Sequence, residues 1–282
     1  MAIDPDEYRA QSRATWDEMA PGWQDRREWM LSITGLVNSW LVEQADPQLG
    51  QTILDIASGT GDLGFAIAEL VGENGHVISA DFSPAMNDMA RRNGEARGLT
   101  NVEYRVLDAE SMGLDDDSVD AVVCRWGYML MADPAAALRE TRRVLRTSGT
   151  VAFAVWATPD RNPWAAVPAM TLVQRGHLPP PVPGAPGIFA MGDPARIREL
   201  VTDAGFAEPA VEEILFAFHY AAFENLWETL VRIAGPLAHV LNGLPEIELR
   251  ATRDAVALNV EPYRNSDGSY SVPAATWGVT SH

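Results

Sequence analysis

Three glycines and three aspartates in this chain have the types and spacing to hold a nucleoside. Gly59, Gly61 and Gly64 close the run Ile53-Leu-Asp-Ile-Ala-Ser-Gly-Thr-Gly-Asp-Leu-Gly64, in which an apolar strand turns sharply into a helix. Glycines suit such a turn because the backbone reverses and can touch a ligand with no Cβ in the way. The spacing Gly59-x-Gly61-x-x-Gly64 also matches a dinucleotide fingerprint, so a nicotinamide-dependent oxidoreductase is one reading of the turn. Asp81 ends the second apolar run, where a carboxylate can accept both hydroxyls of a ribose. Asp108 ends the third, where its carboxylate and the Ala109 N–H can read the edge of an adenine. Asp55 and Asp62 flank the turn and would repel a pyrophosphate. Carboxylates at three strand ends favour a cationic nucleoside without phosphates, bearing a sulfonium and an amino group.

The elements that position these residues read as alternating strands and helices, the pattern of a parallel sheet covered on both faces. Strands are expected at Thr52–Ala57, His76–Asp81, Val102–Leu107, Val119–Cys124 and Thr150–Trp156, with helices at Asp62–Val71, Pro84–Arg97 and Pro134–Arg146. Ser83-Pro84, Asp133-Pro134 and Asp193-Pro194 each set a side-chain acceptor at the N-cap and a proline at the first helical position. From Thr158 to Gly192 the chain is proline-rich, reaching Leu178-Pro-Pro-Pro-Val-Pro-Gly-Ala-Pro-Gly187. That texture reads as a surface loop or as a lid over a pocket. Helix Pro194–Ala204 and strand Ala210–Tyr220 resume the alternation. Two or three helices are expected over Phe223–Val260, and a last strand over Ser269–Val279. The expected organisation is an N-terminal helical cap (1–50), a cofactor-binding core (51–157), a proline-rich lid loop (158–192), sheet-closing elements (193–221 and 267–282) and a helical substrate subdomain (222–266).

Composition narrows the partners. The 282 residues carry a formal net charge of −18, and the 21 basic residues are all arginine. So acidic a surface repels nucleic acid and anionic lipid, and no basic cluster offsets it. Cys124 is the only cysteine, which rules out an intrachain disulfide. No apolar run is long enough to span a membrane and the acidic amino terminus does not resemble a signal peptide, so the cytoplasm is expected. No His, Cys and carboxylate set has metal-ligand spacing.

Taken in order, these motifs resemble the class I S-adenosylmethionine-dependent methyltransferases: Asp55-x-x-x-Gly59-x-Gly61, Asp81-Phe-Ser-Pro-Ala-Met86, Asp108-Ala-Glu110, Val119-Asp-Ala-Val-Val-Cys124 and Arg143-Val-Leu-Arg-x-x-Gly149. The spelling Asp-Ile-Ala-Ser-Gly-Thr-Gly-Asp is most similar to the ubiquinone and menaquinone biosynthesis branch. The resemblance implies an α/β fold, a Rossmann-like, mostly parallel seven-stranded sheet in the order 3-2-1-4-5-7-6. It implies S-adenosyl-L-methionine as cofactor and S-adenosyl-L-homocysteine as product. The backbone at Ala57, Gly59 and Gly61 would lie along the methionine portion, with Asp55 supporting the turn. Asp81 would take the ribose, Phe82 and Met86 would pack on the adenine, and Asp108 and Ala109 would read its edge. Cys124 would offer its carbonyl to the amino group, Arg125 would border the transferable methyl, and Trp23 would cover the cofactor or simply dock its helix.

The acceptor side is less determined. Arg125-Trp-Gly-Tyr128 replaces the Asn/Asp-Pro-Pro-Tyr that many nucleic-acid and protein-amide methyltransferases carry, which points away from those substrates. An in-line methyl transfer to a small, largely apolar molecule is expected, natural-product-like or quinone-like, with oxygen, nitrogen or carbon as acceptor atom. Trp126, Tyr128, Met129, Met131, Trp164, Met170, Phe216, Phe223 and Trp227 are the residues that could line its pocket. His177, His239 and Tyr128 are the titratable groups that could serve as a base, as is His219 on the expected sixth strand. A protein that binds S-adenosylmethionine without transferring its methyl is a further alternative, and a homodimer is compatible with the sequence.

Overall fold

A computed structural model describes residues 4–182 and 184–282. Met1–Ile3 of the expected cap and Pro183 of the expected lid loop lie outside the described residues. The chain runs α1 (Pro5–Asp25), α2 (Arg27–Ala45), β1 (Thr52–Ile56), α3 (Asp62–Val71), β2 (His76–Asp81), α4 (Pro84–Ala96), β3 (Val102–Val106), β4 (Val119–Arg125), α5 (Pro134–Val144) and β5 (Leu145–Trp156). It continues through α6 (Pro163–Gln174), α7 (Pro194–Asp203), β6 (Ala210–Tyr220), α8 (Phe223–Ile233), α9 (Pro236–Asn242), α10 (Glu246–Val260) and β7 (Tyr270–Ser281).

The seven strands form one sheet in the order β3-β2-β1-β4-β5-β7-β6. Strands β1 to β5 are parallel, and β7 runs antiparallel between β5 and β6. Central strands are apolar on both faces because helices cover both. Ile53, Leu54, Val122, Val123 and Phe153 are fully buried. The expected caps form: Ser83 Oγ accepts from Met86 N–H at 3.1 Å, and Asp133 Oδ1 from Ala136 N–H at 2.9 Å. Asp193 Oδ1 accepts from Ala195 N–H at 2.9 Å, and Asp4, followed by Pro5, caps α1 in the same way.

Three expectations are corrected. Among the described residues of the expected cap, α2 lies in the sheet's helical layer, with Val37, Leu41 and Ala45 spaced four apart and buried in the core. Part of the proline-rich segment is helical: Asn162 and Pro163 start α6, and the single internal proline, Pro168, does not prevent it. Residues 178–182 and 184–187 do remain irregular, as their proline density requires. Finally, β5 begins at Leu145 instead of Thr150, cutting the preceding helix to Val144. Its first residues meet β4 through a register shift near Val119, and they lack apolar alternation that would have revealed them. Among the described residues, no helix is long and apolar enough to cross a membrane.

Candidate functional site

The turn after β1 forms because its backbone conformations demand small residues. Gly59 has φ +56° and a Cβ there would point into open space, so the glycine presents bare backbone to a cavity. Gly61 has φ +90°, and a Cβ would collide with the Phe65 ring. Asp55 lies beneath, its Oδ2 accepting from Gly64 N–H at 2.9 Å and pinning α3 to β1. Burial pushes the Asp55 carboxyl up to about 7, with the Arg125 guanidinium pulling the other way. Asp81 Oδ2 accepts from Gly59 N–H and its Oδ1 from Ser83 N–H, both at 2.8 Å. Burial raises Asp81 to about 6 against those two N–H donors.

One cavity of about 220 Å3 joins this turn to an aromatic wall. At its first end stand Ala57, Gly59, Asp81, Phe82, Met86, Asp108 and Ala109. Phe82 carries the Arg13 guanidinium 4.1 Å over its ring. Asp108 Oδ1 accepts from Glu110 N–H at 2.9 Å, fixing the loop after β3. Helix α1 walls the cavity through Tyr8, Arg9, Ser12, Trp16 and Trp23. It is tied down where Arg9 pairs with Glu110, where Tyr8 Oη donates to Leu130 O at 2.9 Å, and where Asp17 accepts from Ser83 and Ala85. Trp23 Nε1 is buried without a hydrogen-bond partner among the described residues, a free donor beside the cavity.

At the other end are Trp126, Trp156, Trp164, Phe218 and Tyr220, with Leu230, Ile233 and Leu237 from α8 and α9. Trp126 and Trp156 stack at 4.2 Å, and Trp156 meets Trp164 at 4.7 Å. Trp126 holds φ +61°, rare for a bulky residue, and its Nε1 donates to Thr276 Oγ1 at 3.0 Å. That conformation turns the chain after β4 so that Arg125 and Trp126 both border the cavity.

The structure therefore gathers Ala57, Gly59, Asp81, Phe82, Met86, Asp108, Ala109, Arg125 and Trp23 around one space. Asp55, Gly61 and Cys124 support it from below and do not line it. The base candidates stand elsewhere. The Tyr128 hydroxyl is fully buried against Thr141 Oγ1 at 2.6 Å, behind the 3-10 turn after β4. His177 pairs with Glu248 at 3.2 Å in a knot with Arg175 between α6 and α10. His239 meets Glu18 at 3.2 Å on the surface, and His219 faces Ser271. No histidine lines the cavity among the described residues. Of the expected lining residues, Trp126, Met129, Met131 and Trp164 do so, whereas Tyr128, Met170, Phe216, Phe223 and Trp227 do not. Trp156, Phe218 and Tyr220 were missed. Phe218 and Tyr220 alternate on β6, a period-2 signal whose inward face was set only by the β7 pairing.

The cluster of acids at the turn is also less negative than the sequence suggested. Arg27 clasps Asp62 through both carboxylate oxygens, Nε to Oδ1 at 2.9 Å and to Oδ2 at 3.0 Å. The carboxylates lining the cavity are Asp81, Asp108 and Glu110, and Arg9 pairs with the last of these. No group of three potential metal ligands converges among the described residues.

Comparison with known proteins gives the same direction. The family described as "Methyltransferase domain" matches residues 48–172. A demethylmenaquinone methyltransferase of Clavibacter sepedonicus is 34% identical over 180 residues, covering 63% of this chain and 67% of the relative. A ubiquinone/menaquinone biosynthesis C-methyltransferase of Proteus mirabilis is 29% identical over 167 residues, covering 58% of this chain and 66% of its own length. The match thus spans about two thirds of these relatives. Among solved structures, a candidate methyltransferase of Bacillus halodurans superposes with a TM-score of 0.59 at 19% identity, covering 86% of this chain and 97% of that one.

Proposed function

The chain belongs to the class I S-adenosylmethionine-dependent methyltransferases, near the ubiquinone and menaquinone biosynthesis branch, and on that premise we propose that it methylates a small, largely apolar, planar acceptor. Its cofactor is S-adenosylmethionine. The observation that carries the acceptor reading is the single cavity in which the nucleoside-binding carboxylates and the tryptophan wall face a common space. The relatives named for quinone methylation support the same acceptor class.

The residues fit the cofactor. Asp81 is an acceptor already oriented by two N–H groups, Gly59 leaves room for a ligand against bare backbone, and Trp23 has an unused N–H. In this reading Asp81 accepts from the ribose hydroxyls, while Phe82 and Met86 flank the adenine. Asp108 and the Ala109 N–H read its edge. The cofactor supplies the activated methyl carbon. The protein holds the acceptor in line with it and excludes water. The apolar walls from α1, α6, α8 and α9 serve that exclusion, and charge neutralisation during transfer is favoured in such a medium.

The test is turnover. Incubated with S-adenosylmethionine and a panel of phenols, naphthols, quinols and aliphatic amines, the protein is expected to form S-adenosylhomocysteine with planar aromatic members. Tight cofactor binding with no product from any member would overturn the reading in favour of a non-transferring protein.

A further inference from the structure

Arg125 is a cation at the cavity with no counter-ion in contact. Its Nη1 donates to Asn38 Oδ1 at 2.6 Å and Thr34 Oγ1 at 3.1 Å, both neutral acceptors on α2. Nε and Nη2 make no hydrogen bond, and Arg125 forms no ion pair with any carboxylate among the described residues. The nearest acids are committed elsewhere: Asp62 is clasped by Arg27, and Asp55 is buried against the Gly64 N–H. Arg125 is half-buried and lines the cavity, so its two unpaired nitrogens leave donors free for an anion that enters there. The same cavity must also admit a sulfonium, and an anion on the acceptor at the tryptophan end would face both positive charges.

We propose that Arg125 is the oxyanion-recognition residue for the acceptor, so that the substrate is an ionisable aromatic hydroxyl bound in its deprotonated form. The guanidinium lies 5.4 Å from the centre of the Trp126 ring, and Trp126 stacks on Trp156. An oxygen on Arg125 therefore places an attached aromatic ring beside a tryptophan surface. The arrangement also accounts for a cavity without histidine, because a guanidinium favours the ionised hydroxyl and the proton goes to solvent on binding. A lone pair of that oxygen, delocalised onto the ortho and para ring carbons, then forms the bond to the methyl carbon. The carbon–sulfur pair remains on sulfur, and the two charges cancel. Attack through carbon leaves one ring proton, which passes to solvent.

The inference rests on the small-acceptor reading, and the experiment separates the two. The full chain saturated with S-adenosylhomocysteine is titrated with 4-nitrophenol, in a buffer where the free probe is mostly neutral. The wild type is expected to generate the visible phenolate band on binding, and Arg125→Met to lose that band and at least about tenfold in probe affinity. Arg125→Lys should restore part of both. If Arg125→Met does not fold, Asn38→Leu, which releases the guanidinium from its anchor, should weaken probe binding severalfold with the charge still present. Equal binding of neutral probe by wild type and variant overturns the proposal, as does no probe binding by the wild type. Arg125→Met weakening S-adenosylhomocysteine but not 5′-methylthioadenosine, which lacks the carboxylate, also overturns it by assigning the guanidinium to the cofactor. Turnover of the acceptor panel undiminished in Arg125→Met sinks the role of Arg125 alone, whereas no turnover in the wild type sinks the small-acceptor reading.

Discussion

Arg27 at the start of α2 and Asp62 at the start of α3 form a two-oxygen ion pair, with the Asp62 side chain 4% exposed and Arg27 20% exposed. The pair fastens the first helical layer to the glycine turn, and Thr60 Oγ1 donates to the same carboxylate at 2.9 Å. Removing the arginine leaves a nearly buried carboxylate with only that hydroxyl. Arg27→Met is therefore expected to cost about 2–3 kcal/mol, less than for a fully buried pair because Arg27 is partly solvated. Denaturant unfolding measures it. Adding Asp62→Asn to Arg27→Met should recover much of the loss, and a double variant no more stable than Arg27→Met would contradict the assignment.

Asp81 offers the second test. Asp81→Asn keeps the size of the side chain but replaces one acceptor oxygen by an amide, and it removes the charge that attracts ribose hydroxyls. Calorimetric affinity for S-adenosylmethionine is expected to fall about 10–100-fold. An unchanged dissociation constant would remove Asp81 from the cofactor site.

Opposite pH trends are expected for folding and for cofactor binding. Asp55 is raised from 3.8 to about 7 and Asp81 from 3.8 to about 6, so the folded chain holds protons that the unfolded chain has released. Their stabilising contribution is full below the ordinary carboxylate range and is lost as pH rises through about 6 and 7. The melting temperature of the ligand-free protein should therefore be several degrees higher at pH 5 than at pH 8, and Asp55→Asn should flatten that slope. Affinity for S-adenosylmethionine should instead increase from pH 5 to 8, because ionised Asp81 is the better acceptor. Parallel trends would mean that the Asp81 charge does not govern binding.

Side chains away from the cavity should be dispensable for turnover. His177→Ala and His239→Ala are each expected to change kcat by less than about twofold, since no catalytic proton transfer, worth about 10²–10⁴, is lost. Tyr128→Phe should cost about 1 kcal/mol through the Thr141 hydrogen bond and leave kcat unaltered. A hundredfold fall in kcat for any of the three would restore it as a base.

What the sequence made legible was whatever repeats locally. Ser83-Pro84, Asp133-Pro134 and Asp193-Pro194 marked helix starts because capping needs only neighbours three residues apart. The strand order came through the resemblance, with the carboxylates at the ends of β2 and β3 in their expected places. Long-range pairing was invisible: nothing local says that Arg27 neutralises Asp62 across 35 residues, or that Arg125 turns to Asn38. The acceptor wall suffered most. On β6 the residues Phe216, Phe218 and Tyr220 share one alternation, yet only the last two line the cavity, whereas Phe216 packs against Trp126 and Trp156.

The single sulfur of Cys124 sits fully buried at the end of β4, and burial pushes its thiol up to about 12. In the native state it is thus neither reachable nor reactive toward alkylating reagents. Its labelling rate is a clock for opening of the central strands, one that ticks without any engineered probe and slows in proportion to whatever a ligand adds to their hold on one another.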